Sequence, residues 1–198
     1  IKNATIINEG RQFVGTLVID DDRIDEILEG HDAEPTIPVD ESIDGTGCYV
    51  LPGVIDDHVH FRDPGLTQKG DFCSESRAAA AGGVTTIFDM PNCVPQTTTQ
   101  EAFDEKWKIA ASKSVVNYGL FFGATAGNAY ELAHLNPRKV AGIKLFMGSS
   151  TGNMLVDNEI ALKAIFENAK LLIMTHCENS AIINENMKAA QAQYGADP

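Results

Sequence analysis

No stretch of these 198 residues is apolar for long enough to cross a bilayer, and no charged-then-apolar leader stands at Ile1. Both absences set the expectation of a cytoplasmic protein with no membrane partner. Cysteine is scarce. Cys48, Cys73, Cys93 and Cys177 show no Cys-x-x-Cys spacing, which excludes a disulfide framework and reads as reduced thiols. Basic residues are short as well: 15 Lys and Arg against 28 Asp and Glu give a net charge of −13, with no basic patch to hold a nucleic acid. That imbalance does not exclude an anionic small substrate, because a local arginine outweighs a distant field screened by salt. What is present, 43% hydrophobic and 22% charged residues, is the composition of a globular protein with a substantial core. A homo-oligomer is left open.

The chain changes rhythm near residue 50. Residues 1–50 read as a small, incomplete β-sandwich-like module, with β-rich runs at Ala4–Asn8, Phe13–Asp20 and Arg23–Leu28. Asp20-Asp21-Asp22, between two alternating runs, predicts a hairpin turn. From residue 51 strands and helices alternate. Strands are predicted at Val54–His60, Val84–Met90, Val116–Gly123, Gly142–Met147 and Leu171–Cys177, and helices at Phe72–Ala81, Gln100–Lys113, Asn128–His134, Asn158–Lys170 and Ala181–Tyr194. Asp71 is a candidate N-cap, Gly82-Gly83 a helix stop, and Thr98-x-x-Glu101 a capping box. Spacings near 30 residues suit βαβ units. No Gly-x-Gly-x-x-Gly follows the first of these strands, which weighs against a dinucleotide-binding sheet. The fold class is therefore α/β, a (β/α)8 TIM-like barrel of which residues 51–198 form the N-terminal portion, about five strands. Such a barrel needs eight strands and roughly 250 residues, so the chain is expected to be part of a larger protein.

Active sites of such barrels collect at the C-terminal ends of the strands. The first strand ends in Asp56-Asp57-His58-Val59-His60-Phe61-Arg62-Asp63-Pro64-Gly65. Residues two apart on a strand share a side, so His58 and His60 would aim two imidazoles, common zinc ligands, at one point. Arg62 adds a cation able to hold an anionic substrate. The second strand ends in Asp89-Met90-Pro91-Asn92, with an amide donor and acceptor on Asn92. The fourth carries Lys144 between apolar neighbours. It either snorkels to solvent or faces the interior with a lowered pKa, as a neutral amine able to add carbon dioxide. The fifth ends in Thr175-His176-Cys177-Glu178: Cys177 should face away from His176, and Glu178 could orient its ring. His31 and His134 read as surface residues. Asp56 is either an acceptor behind the histidines or a structural group.

With these residues in place the chain resembles the dihydroorotase family of the amidohydrolase superfamily. The motifs that carry the resemblance are residues 51–65, Ala81-Gly82-Gly83-Val84-Thr85-Thr86, Asp89–Asn92, Gly142-Ile143-Lys144-Leu145-Phe146 and Thr175–Glu178. The resemblance implies a hydrolase of pyrimidine biosynthesis that interconverts N-carbamoyl-L-aspartate and dihydroorotate. It implies two zinc ions bridged by carboxylated Lys144, with His58 and His60 on one metal and His176 on the other. Arg62 and Asn92, beside His60, match the residues that hold the substrate. A further histidine and the aspartate acting as general acid and base belong to later strands, beyond residue 198, so isolated activity of these residues is not expected. Allantoinases and hydantoinases share the metal ligands and form the nearest alternative; a catalytically silent scaffold is the other.

Overall fold

The computed structural model describes residues 1–148 and 154–195 and separates into two compact units, Ile1–Gly53 and Val54–Pro198. The first holds one four-stranded sheet: β1 (Ala4–Asn8), β2 (Arg11–Asp20), β3 (Arg23–Glu29) and β4 (Tyr49–Val50), in the order β3-β2-β1-β4. β1–β2 and β2–β3 are antiparallel, whereas β4 runs parallel to β1. The acidic triplet does turn the chain. β2 closes with Asp20, and Asp21 takes a positive φ of 49° before β3 opens at Arg23. β2 starts two residues earlier than the hydrophobic pattern indicates, because Arg11 pairs with Asn8 across the Glu9-Gly10 turn.

The second unit is a repeated strand–helix wall. Its strands are β5 (Val54–Val59), β6 (Val84–Asp89), β7 (Asn117–Gly123), β8 (Val140–Phe146) and β9 (Ile173–His176). They lie side by side in chain order, and every pair is parallel. The helices between and after them are α1 (Phe72–Ala81), α2 (Gln100–Lys113), α3 (Ala129–Leu132), α4 (Glu159–Asn168) and α5 (Ser180–Tyr194). Sequential parallel strands with helical crossovers are the wall of a (β/α) barrel, here its N-terminal part. β5 and β9 are its edge strands; Val54 and Ile55 on β5 are exposed, as is Leu172 just before β9.

Helix ends follow local chemistry. Asp71 caps α1: its carboxylate accepts from Ser74 N–H, and the Ser74 hydroxyl returns to the Asp71 backbone. α2 is capped by Thr99, which accepts from Ala102 N–H, so the cap sits one residue after the expected Thr98 and Glu101 falls in the first turn. α3 is a single turn, shorter than the pattern 128–134 indicated, and it gives way to the Asn136-Pro137 loop. The core gathers Phe72, Ile87, Phe103, Leu120, Phe122, Ile143, Leu145 and Ile165 between sheet and helices. Each fully buried Phe or Leu contributes on the order of 1.5–3 kcal/mol over an exposed one. α2 turns Phe103, Lys106 and Ala110 inward, a spacing of one helical face that includes a lysine.

Candidate metal and substrate site

His58 and His60 come together, their ring centroids 5.3 Å apart. They do so by a route that simple alternation does not describe. Asp56 pairs with Ile87 and Val59 with Asp89, so two residues of β5, Asp57 and His58, oppose the single Phe88. This is a bulge, a common device for re-aiming side chains at a strand end. Asp56 accepts from the backbone N–H of His58 at 3.1 Å and so braces the bulge; it does not touch either ring. His60 lies outside the strand, which ends at Val59. Its backbone neighbours are both fixed to β6: Val59 C=O accepts from Met90 N–H at 2.9 Å, and Phe61 N–H donates to Asp89 at 2.7 Å.

The His60 ring is held too. Its Nδ1 lies 2.8 Å from Asn92 Oδ1. An amide oxygen only accepts, so Nδ1 carries the proton and Nε2 keeps its lone pair for a ligand. Both histidines are pushed below the ordinary imidazole pKa, burial being the largest cause for each. For His58 the next cause is the charge of Lys144, with His176 adding to it; for His60 the hydrogen bond it donates to Asn92 opposes the shift and Arg62 reinforces it. A neutral imidazole is the form a metal takes.

Arg62 sits in the left-handed region with φ +66°, a conformation an arginine holds only when its surroundings impose it. Here they do. Phe61 is tied to Asp89, Leu66 N–H donates to Arg62 C=O at 3.0 Å, and the buried Asp63 carboxylate pairs with Lys113 at 2.7 Å. The loop that follows leans on the one carrying Asn92. Val94 N–H donates to Pro64 C=O at 3.0 Å, and a Cβ at Gly65 would collide with the Val94 carbonyl. Arg62 and Asn92 thus stand on two loops docked to each other.

Lys144 does not snorkel. It is 1% exposed on β8, and the burial lowers its pKa. Among the described residues it makes no ion pair, and its ammonium lies 5.2 Å from the Phe146 ring centre. Phe146, which sequence reasoning passed over, also stacks on His176 at 6.1 Å and so spans the two predicted ligands. His176 ends β9; its Nε2 lies 3.1 Å from Glu178, while Cys177 turns away toward Met147. That pairing needs Gly148, where a Cβ would collide with Glu178.

These residues fit a metal pair conditionally. Among the described residues no three His, Cys, Asp or Glu side chains converge to hold an ion. His58 and His60 lie together, Lys144 and His176 are both in electrostatic reach of His58, and this group of described side chains holds no anionic donor. A carbamate on Lys144 would supply one. Burial favours the neutral amine that must first form, and no carboxylate among the described residues competes for it.

Two further features escaped sequence reasoning: the Asp63–Lys113 contact and a buried pair of Asp89 with Lys106, 2.5 Å apart. A signal for the second existed. Lys106 lies three residues after Phe103 and four before Ala110, on the core face of α2. Among the described residues no helix is long and apolar enough to cross a membrane.

Comparison with known proteins identifies the family and the fold. The sequence model of the Amidohydrolase family matches residues 49–193. A dihydroorotase of Methanothermobacter thermautotrophicus is 39% identical over 180 residues, 90% of this chain and 39% of that protein. An allantoinase of Deinococcus radiodurans is 35% identical, over 84% of this chain and 39% of its own. Among solved structures, the L-hydantoinase of Arthrobacter aurescens superposes with a TM-score of 0.87 at 31% identity, covering 99% of this chain and 44% of its own. The chain spans about two fifths of the length of the curated relatives it matches.

Proposed function

The chain belongs to the amidohydrolase family, and from that premise we propose that it supplies the first half of the active site of a zinc-dependent dihydroorotase, closing N-carbamoyl-L-aspartate to dihydroorotate and reopening it. The observation that carries this reading is Arg62, held at positive φ two residues after His60, on a loop docked to the one that carries Asn92. A guanidinium is a two-pronged partner for a carboxylate. A ring amide without a carboxylate has no use for it. Curated relatives named dihydroorotase, at 36–39% identity, support the same choice.

In this reading His58 and His60 would hold one zinc ion and His176 a second, with carboxylated Lys144 as the anionic ligand. The amine of Lys144 adds to the carbon of carbon dioxide and releases one proton, leaving an anionic carbamate. The chemistry a bound zinc pair supplies is polarisation of the ring amide carbonyl and acidification of the attacking water. The remaining work belongs to side chains. Asn92 fixes the tautomer of His60 through its oxygen, and its amide N–H groups, with Arg62, are the donors assigned to the substrate carboxylate. Together they hold the ring in one orientation, which converts binding into proximity. Glu178 orients the His176 ring. Proton delivery to the departing nitrogen is assigned to an aspartate of a later strand. Ring closure consumes a proton, since two carboxylates become one, so acidic solution favours the ring. The N-terminal sheet is read as one layer of a β-sandwich, and the enzyme as cytoplasmic and part of pyrimidine biosynthesis.

The test is Arg62→Ala in the complete, metal-replete enzyme. KM for dihydroorotate should rise by about 10²-fold with metal content unchanged. Unchanged KM contradicts the reading, and a wild-type preference for allantoin or hydantoin over dihydroorotate in the same assay would assign the chain to those relatives instead.

A further inference from the structure

We propose that the buried Lys106–Asp89 pair is a positioning device for the anion grip: it sets Arg62 and Asn92 at the separation a substrate carboxylate requires, and so governs preference for carboxylate-bearing rings. This rests on the function proposed above and goes beyond it, because neither residue is among those assigned to the metals or the substrate.

The geometry is a three-way clamp. Lys106 Nζ, on α2, lies 2.5 Å from Asp89 Oδ2 and donates to Met90 C=O at 2.7 Å. The other oxygen of Asp89 accepts from Phe61 N–H at 2.7 Å. One charged pair therefore joins helix α2, the end of β6 and the loop leaving β5. Its two backbone contacts are placed with purpose. Phe61 lies between His60 and Arg62, and Met90 lies two residues before Asn92. Both side chains are buried, Lys106 fully and Asp89 to 1% exposure.

Packing alone does not ask for this pair. An apolar pair of equal volume generally fills such a space with equal or better stability. What an apolar pair cannot do is accept from Phe61 N–H and donate to Met90 C=O. Those two contacts fix the backbone on either side of Arg62 and ahead of Asn92. With them gone, Arg62 has less to hold it at positive φ and relaxes toward ordinary backbone geometry, carrying the guanidinium away from the amide.

The decisive variant is the double substitution Asp89→Leu with Lys106→Met in the complete enzyme, which removes the charges without leaving either one unpaired. Unfolding midpoint, zinc content, KM for dihydroorotate and the inhibition constant of 5,6-dihydrouracil, the same ring without the carboxylate, are measured together. The midpoint should fall modestly, because Phe61 N–H loses its acceptor; zinc should stay near wild type, since His60 keeps its Asn92 contact; KM should rise roughly tenfold to a hundredfold, and the inhibition constant should not move. An equal loss for both rings, or no loss for either, overturns the proposal. Lys106→Gln, which keeps a neutral donor, should give a smaller rise of the same kind; an unchanged KM there overturns the proposal even if the double variant does not fold. Arg62→Ala in parallel separates the two ideas. If it leaves KM unchanged, the assigned function fails; if it raises KM and the double variant does not, only the positioning role fails.

Discussion

Two lysines are buried in the barrel wall, and their surroundings differ in kind. Lys106 enters from a helix and meets a carboxylate and a carbonyl; Lys144 stands on a strand with an aromatic ring for company and no carboxylate among the described residues. Burying a charge is tolerable only when it is paired, and an unpaired amine responds by giving up its proton. The first lysine is paired and organises backbone. The second has its pKa lowered by burial, and under the proposed function it is the amine that adds carbon dioxide. The contrast shows how one residue type is given opposite roles by neighbours alone.

The largest effect expected from breaking this contrast is at Lys144. Lys144→Ala should lower kcat by about 10³-fold or more and strip zinc; added short-chain carboxylates should restore part of both by occupying the vacated space. Retained zinc in Lys144→Ala would show that the residue is no bridge. Next comes the single change Lys106→Met. It leaves Asp89 buried without its cation and should destabilise by roughly 3–5 kcal/mol, whereas the double variant with Asp89→Leu should recover part of this, staying about 1–3 kcal/mol below wild type because Phe61 N–H loses its acceptor. Chemical denaturation measures both, and a single variant as stable as the double would mean that the pair is not coupled.

A smaller effect concerns pH. His58 and His60 are held below the ordinary value of 6.5, chiefly by burial, so their neutral, metal-binding forms persist below that pH. Zinc retention should therefore hold as pH falls through 6.5 and fail only at lower pH. Release centred at or above 6.5 would contradict the assignment. The smallest effect is at Asp71, whose carboxylate is held low by the N–H and hydroxyl of Ser74. Its contribution is present above the unfolded value of 3.8 and lost as pH falls through the lower folded value. Asp71→Ala should lower the melting temperature slightly at neutral pH and flatten its acid dependence.

Much of this wall can be read from residue patterns. The five βα strands fall where β-branched runs end in polar residues, and α1 and α2 match their predicted spans because apolar periodicity and caps agree. The short α3 misleads, since its pattern outlasts its hydrogen bonds. At the site, Lys144 is visible as a charge inside an apolar strand, yet its burial is not, because alternation cannot tell an inward lysine from a snorkelling one. The bulge at Asp57-His58 and the positive φ of Arg62 leave no local trace; both come from pairing with β6 and from the clamp behind it. Convergence of His58, Lys144 and His176 spans more than a hundred residues of chain, and only the barrel topology brings them together.

The most direct measurement of the central claim is the chemical state of residue 144. Complete enzyme loaded with zinc in ¹³C-bicarbonate should show a carbamate carbon by ¹³C NMR that vanishes in Lys144→Ala, with density branching from Nζ between two metals in a crystal. A plain ammonium at Lys144 in fully active, zinc-loaded enzyme would contradict it.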